Sequence, residues 1–160
     1  MISTGIQAPR FSLKCKNADG LNEVSLDDLT NGKNAVLLFF PLAFTSVCTN
    51  ELCSVSGGLA CYEDLNANVV GISVDSPFTL EVFAQQNNIA LPLLSDFNKS
   101  ASRAYGVLDE DFLPGKLGFA GVAKRSAFVV NSDGVVTYAW SSDDPGVLPP
   151  FDDIQAALKS

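Results

Sequence analysis

The sequence predicts an α/β protein with a mixed central β-sheet flanked by helices and preceded by a β-hairpin. Three observations carry that reading. Two short apolar runs, "AVLLFF" (35–40) and "NVVGISVD" (68–75), suit strands buried on both faces. Each is followed by a segment with helical spacing or a helix-start signal, so strands alternate with helices. Close to the C-terminus, "RSAFVVN" (125–131) and "VVTYAW" (135–140) flank Ser132-Asp133-Gly134, an antiparallel hairpin.

Each element has a local reason. "FSLKC" (11–15) and "NEVSL" (22–26) flank Asp19-Gly20, a dipeptide suited to positive φ, and form the first hairpin. A helix from about Thr45 to Asn66 follows the first buried strand, weakened or bent by Gly57-Gly58. Ser76 and Pro77 read as an N-cap and a proline at the first helical position, opening a helix through about Asn87. "LPLLSD" (91–96) is a short strand, and "NKSASRAYG" (98–106) a short helix stopped by Gly106. Residues 107–124 have no clear period and read as loop. "PPFDDIQAALKS" closes as a helix with acids at its start and a lysine near its end. No repeat or linker interrupts the chain, which fits one domain over residues 1–160.

Composition narrows the function. Ten basic against eighteen acidic residues give a formal net charge of −8, which argues against nucleic acid or an anionic membrane as partner. No apolar run approaches the roughly 20 residues needed to cross a membrane. "MISTGIQAPRFSLK" lacks the features of a secretory signal, so a soluble cytoplasmic protein is expected. The chain has no histidine. Imidazole-activated nucleophiles are therefore excluded within it, and the commonest neutral metal ligand is missing. Neither a metal nor an organic cofactor is expected. The cysteines, Cys15, Cys48, Cys53 and Cys61, form no C-x-x-C, so neither a zinc-ribbon half-site nor a thioredoxin-type redox motif can be drawn.

The chemistry concentrates after the first buried strand, in "FFPLAFTSVCTN" (39–50). Loops at the carboxyl ends of such strands are where ligands bind in open α/β sheets. With Thr45 or Ser46 as N-cap, Cys48 falls in the first turn of the helix. Unpaired N–H groups and the positive dipole end favour an anion there, and a thiolate is one. The Thr45 hydroxyl, three residues earlier, is within reach of the sulfur. Pro41 has no N–H, so it can cover the site without competing for hydrogen bonds.

Pro41, Thr45 and Cys48 match the P-x-x-x-T-x-x-C motif, and here the chain resembles the peroxiredoxins, thiol peroxidases built on a thioredoxin-like fold. The likeness extends through "GISVDS", "LPLLSDF", "AYGV" and "RSAFVVNSDGVV", the last carrying Arg125. "PLAFTSVCTNEL" and "PLLSDFNKSASRAYGV" resemble the alkyl hydroperoxide reductase E branch. Cys53, five residues after Cys48, instead resembles the bacterioferritin-comigratory, or Q-type, branch. The resemblance implies that Cys48 attacks hydrogen peroxide or an organic hydroperoxide and becomes a sulfenic acid. Thr45, Arg125 and the Cys48 N–H would hold the peroxide and stabilise the leaving oxygen. Glu51 either orients Arg125 or only favours the helix N-terminus, and Arg103 is a solvated helix charge. A thioredoxin, a glutaredoxin or a low-molecular-weight thiol would return the enzyme, as monomer or homodimer, to its reduced state.

Which cysteine resolves the sulfenic acid stays open at this level. In a regular helix the Cα atoms of Cys48 and Cys53 are about 8–9 Å apart, beyond the roughly 7 Å limit for a disulfide. Cys53 can therefore resolve only if the first turns unwind. Cys61 competes through a break at Gly57-Gly58, a one-cysteine enzyme resolved by an external thiol is the further alternative, and Cys15 reads as structural. Two other classes compete: a general thiol–disulfide oxidoreductase, weakened by the missing C-x-x-C, and a cysteine-based metal-responsive protein, weakened by the spacings and the lack of histidine.

Overall fold

Alternation along one strand organises the molecule. In β3 (Asn34–Phe39), Ala35, Leu37 and Phe39 point into one apolar cluster, while Val36, Leu38 and the following Phe40 point into another. A strand buried on both faces has no polar side to show, which is why this stretch reads as an unbroken apolar run. The computed structural model describes residues 1–160.

A seven-stranded mixed sheet runs through the centre. β3 pairs in parallel with β4 (Ala67–Ser73), which pairs in parallel with β5 (Leu93–Ser95). On the other side of β3 the antiparallel strands β8 (Ser126–Val130) and β9 (Val136–Ser141) complete one edge. The opposite edge is the N-terminal hairpin, β1 (Ser12–Asn17) and β2 (Gly20–Ser25), with β1 joined to β5 at Lys14 and Ser95. One face is covered by α2 (Ser46–Gly57), α3 (Leu59–Asp64), α4 (Pro77–Gln86) and α6 (Phe151–Lys159), which supply Leu52, Tyr62, Phe83 and Ile154 to its cluster. The other is covered by α1 (Leu26–Thr30), α5 (Ser100–Ala104) and Tyr105, whose hydroxyl donates to the Pro9 carbonyl at 3.0 Å. This is the thioredoxin-like α/β arrangement expected from the sequence.

Three local departures have physical reasons. Leu26 does not extend β2 but begins α1, because Ser25 and Asp28 form a reciprocal capping box. The long helix expected over 45–66 is two helices, since Gly58 caps the first and leads into the second. Residues 107–124 contain a small ladder, β6 (Leu108–Asp109) with β7 (Val122–Ala123), and a bridge between Phe112 and Phe119. Their pairing is between residues too far apart for a local period to reveal. The start of α4 agrees with expectation: Ser76 Oγ accepts from the Thr79 N–H at 3.1 Å and Pro77 opens the helix.

Candidate active site

The carboxyl ends of β3, β4 and β5 lie side by side, and the chain leaves β3 through residues 40–45 to enter α2. Antiparallel register sets the second half of the site. Ser126 of β8 lies opposite Phe39, so Arg125, one residue earlier, arrives where β3 gives way to that loop. Cys48 occupies the first turn of α2 with Thr45 at the N-cap position. The N–H groups of Ser46, Val47 and Cys48 make no hydrogen bond with the protein, the usual state of an uncapped helix start.

Arg125 ties the elements together. Its Nη2 donates to Cys48 Sγ at 3.1 Å, its Nη1 pairs with Glu51 Oε2, and its Nε donates to the Pro145 carbonyl at 3.0 Å. The Arg125 and Glu51 side chains are 1% and 0% exposed. Burial pushes the Glu51 carboxyl up to about 7, with the adjacent guanidinium pulling it down. Burial works against the Arg125 charge, yet Glu51 and Cys48 beside it hold its pKa above the ordinary value. Glu51 Oε1 is buried without a partner.

Cys48, itself buried, opens into a cavity of about 300 Å³ lined by Pro41, Thr45, Val47, Phe112, Leu113, Lys116, Leu117 and Arg125, among others. Two cations and no acidic residue line it, in a chain with eighteen acids. A larger cavity of about 440 Å³ lies between β1 and the start of α4 and contains no cysteine. Size is thus a poorer guide here than the position of the thiol.

Of the residues singled out from the sequence, Pro41, Thr45, Cys48, Glu51 and Arg125 are brought together. Thr45 differs in detail: its hydroxyl donates to the Leu42 carbonyl at 2.9 Å rather than to the sulfur. With its only proton committed, that oxygen faces a ligand as an acceptor. Cys53 is not brought to Cys48. α2 is continuous across both, and Cys53 Sγ contacts the Asn87 carbonyl at 3.6 Å, by the end of α4. Cys61 is exposed on α3, Cys15 is buried in β1 with its thiol pushed up by burial, and all the cysteines are free. Arg103 is exposed on α5.

The match to known proteins decides the class. The AhpC/TSA family profile matches residues 4–139. The chain belongs to the AhpC/TSA family. As a member of that family it is a thiol-dependent peroxidase, a peroxiredoxin. Alkyl hydroperoxide reductase E of Mycobacterium bovis is 37% identical over 141 residues, spanning 87% of this chain and 85% of that one. Among solved structures, the reduced 2-Cys peroxiredoxin of Plasmodium vivax superposes with a TM-score of 0.82 at 28% identity, covering 98% of this chain and 94% of its own. Peroxidoxin BcpB of Mycobacterium tuberculosis also scores 0.82 at 28% identity, with 99% and 97% covered. Among peroxiredoxins generally, peroxides are the oxidants and thiols the reductants.

Two contacts of the site escaped the sequence reading. Asp75, after β4, accepts the Ala43 N–H at 2.8 Å, and the Pro145 carbonyl receives Arg125. Both join segments at least twenty residues apart. Glu51 had a readable signal: Cys48, Glu51, Leu52 and Val55 are spaced for one buried helical face.

Proposed function

We propose that Cys48 is the thiolate that attacks the terminal oxygen of a peroxide bound in the 300 Å³ cavity. The observation that carries this is the Arg125 guanidinium at 3.1 Å from Cys48 Sγ, on the wall of a cavity shared with Thr45 and Pro41. That guanidinium places a permanent positive charge beside the sulfur and on the cavity wall. Thr45 Oγ1 accepts the O–H of the incoming peroxide, while Arg125 and the free Cys48 N–H donate to its oxygens. An S–O bond forms as the O–O bond breaks. Sulfur becomes the sulfenic acid, and the departing oxygen takes a proton to leave as water or an alcohol. Pro41 covers the thiol without adding a donor. The apolar lining by Val47, Phe112, Leu113 and Leu117 supports organic hydroperoxides as substrates beside hydrogen peroxide.

Cys53 then resolves the sulfenic acid: its sulfur forms an S–S bond with Cys48, water departs, and a thioredoxin-like dithiol reduces the bridge. This requires the first two turns of α2 to open, because Cys53 points to Asn87 and Cys48 to Arg125. Opening one end of a helix costs far less than global unfolding. Residues 1–160 act as one domain, and four unpaired cysteines suit a reducing cytoplasm. Stopped-flow mixing with hydrogen peroxide and an alkyl hydroperoxide tests the reading. Wild type should oxidise rapidly and Cys48→Ser should not; equal behaviour of the two would end it.

A further inference from the structure

We propose that Asp75 is a positioning residue for peroxide reduction: by holding the Ala43 amide, it fixes the segment that carries Pro41 and Thr45 over Cys48. The proposal rests on Cys48 being the attacking thiolate. Residues 40–45 form the only covalent link between β3 and α2, and they contribute two of the residues that line the cavity. Ala43 sits in the middle of that link, and its N–H donates to Asp75 Oδ2 at 2.8 Å. The next residue, Phe44, has φ of 66°, in the left-handed region that a bulky side chain adopts only when its surroundings hold it there. Phe44 is half exposed and rests edge-on against Phe83 at 5.1 Å. Thr45 then returns to an extended conformation, with φ −83° and ψ 148°, before α2 begins. The chain thus makes a left-handed kink immediately before the threonine that faces the substrate, and the Asp75 carboxylate grips the kink from the side.

Asp75 is itself braced. Ser73 Oγ donates to Oδ2 at 2.7 Å and accepts the Asp75 N–H at 3.2 Å, while Ser95 Oγ donates to the Asp75 carbonyl at 2.6 Å. Ser73 and Ser95 are 0% and 5% exposed, at the carboxyl ends of β4 and β5. No lysine or arginine pairs with Asp75. Its carboxylate is therefore engaged as an acceptor of a backbone N–H and a hydroxyl, the arrangement of a fixed anchor rather than of a surface ion pair. Through this network the loop leaving β3 is bound to the ends of β4 and β5. Release of Ala43 would let Phe44 relax from the left-handed region and carry Thr45 Oγ1 away from the sulfur. Peroxide cleavage needs the attacking sulfur and the two peroxide oxygens in line and is sensitive to such a shift, whereas alkylation of the same thiolate by a small reagent is not.

The experiment compares wild type, Asp75→Ala and Asp75→Asn in two reactions: stopped-flow oxidation by hydrogen peroxide and alkylation by iodoacetamide across pH. Asp75→Ala should slow peroxide oxidation by about tenfold or more and alkylation by less than about twofold, as expected for lost orientation. Asp75→Asn keeps an oxygen that can accept from Ala43, so it should stay within about threefold of wild type. Hydrogen exchange at the Ala43 amide should accelerate in the alanine variant and not in the asparagine variant. Oxidation of Asp75→Ala at the wild-type rate overturns the proposal. So does an asparagine variant as slow as alanine, or a parallel fall in both reactions. Should Asp75→Ala fail to fold, Ser73→Ala removes the hydroxyl that braces the carboxylate: intermediate slowing supports the proposal and a wild-type rate overturns it. Slow oxidation of wild type itself would count against Cys48 as the attacking thiolate, and not against the anchor.

Discussion

Glu51 and Arg125 form an ion pair sealed from water, their side chains 0% and 1% exposed, and the same guanidinium touches the Cys48 sulfur. Glu51 competes with the sulfur for one cation. It also satisfies that cation in a place where an unpaired charge would be costly.

The pair makes stability depend on pH in a defined direction. Burial raises the Glu51 carboxyl from about 4.5 to about 7, against the lowering effect of Arg125. The folded state therefore holds this proton to higher pH than the unfolded chain does. Its contribution to stability is complete below about 4.5 and is lost as pH rises through about 7. Glu51→Gln removes this titration. The unfolding free energy of the variant minus that of wild type should rise between pH 5 and 7 by at most about 1.4 kcal/mol per pH unit and level off above. Urea unfolding at several pH values measures it; a flat difference would contradict the raised Glu51 pKa.

Arg125→Lys tests whether charge alone is enough. The guanidinium serves Glu51, Cys48 and Pro145 through three separate nitrogens in one plane, a geometry that one ammonium cannot reproduce. The second-order rate constant with peroxide should fall by roughly 100-fold or more, the scale seen when one donor to a developing oxyanion is removed. Retention of the rate within a few-fold would mean that a nearby positive charge suffices and the fork does not matter.

Cys53→Ser addresses resolution. In wild type treated with one equivalent of peroxide, mass spectrometry should find an intramolecular bridge between Cys48 and Cys53, accompanied by faster hydrogen exchange over the first turns of α2. In the variant the bridge should be absent and a sulfenic acid trappable by dimedone. A bridge to Cys48 that survives the substitution would assign resolution to another cysteine, with exposed Cys61 first in line.

The fold was legible where local chemistry decides it. The continuous apolar runs became β3 and β4, Ser76 and Pro77 cap and open α4, and Asp133-Gly134 turns the last hairpin with Gly134 at φ 79°. Thr45 at the N-cap and Cys48 in the first turn were equally local. The capping box of Ser25 and Asp28 was also written in the sequence, but Leu26 continued the apolar alternation of β2 and masked it. What could not be read joins distant segments. Asp75 reaches Ala43 across 32 residues and Arg125 reaches Pro145 across 20, and no period marks either. Thr45 was placed correctly while its hydroxyl was not, because the Leu42 carbonyl, three residues back, competes for the same proton.

Gly71 sets the distance between the sheet and α2. A Cβ on this β4 residue would stand 2.7 Å from Leu93 Cδ2 and 3.2 Å from both Leu52 Cδ2 and Phe40 Cε1. Leu93, Leu52 and Phe40 are 4%, 0% and 0% exposed in one packed cluster and have little room to yield. Leu52 lies one turn beyond Cys48 on α2, and Phe40 opens the loop that leads to it. Gly71→Ala should therefore lower stability by about 1–3 kcal/mol, the usual cost of overpacking, read as a shift in the urea midpoint. It should also slow peroxide oxidation, because moving α2 outward by a fraction of an ångström separates Cys48 from Arg125, which is anchored independently by β8 and the Pro145 carbonyl. A variant less stable but fully active would mean that α2 and β8 move together; unchanged stability would mean that the cluster has slack the contact distances do not suggest.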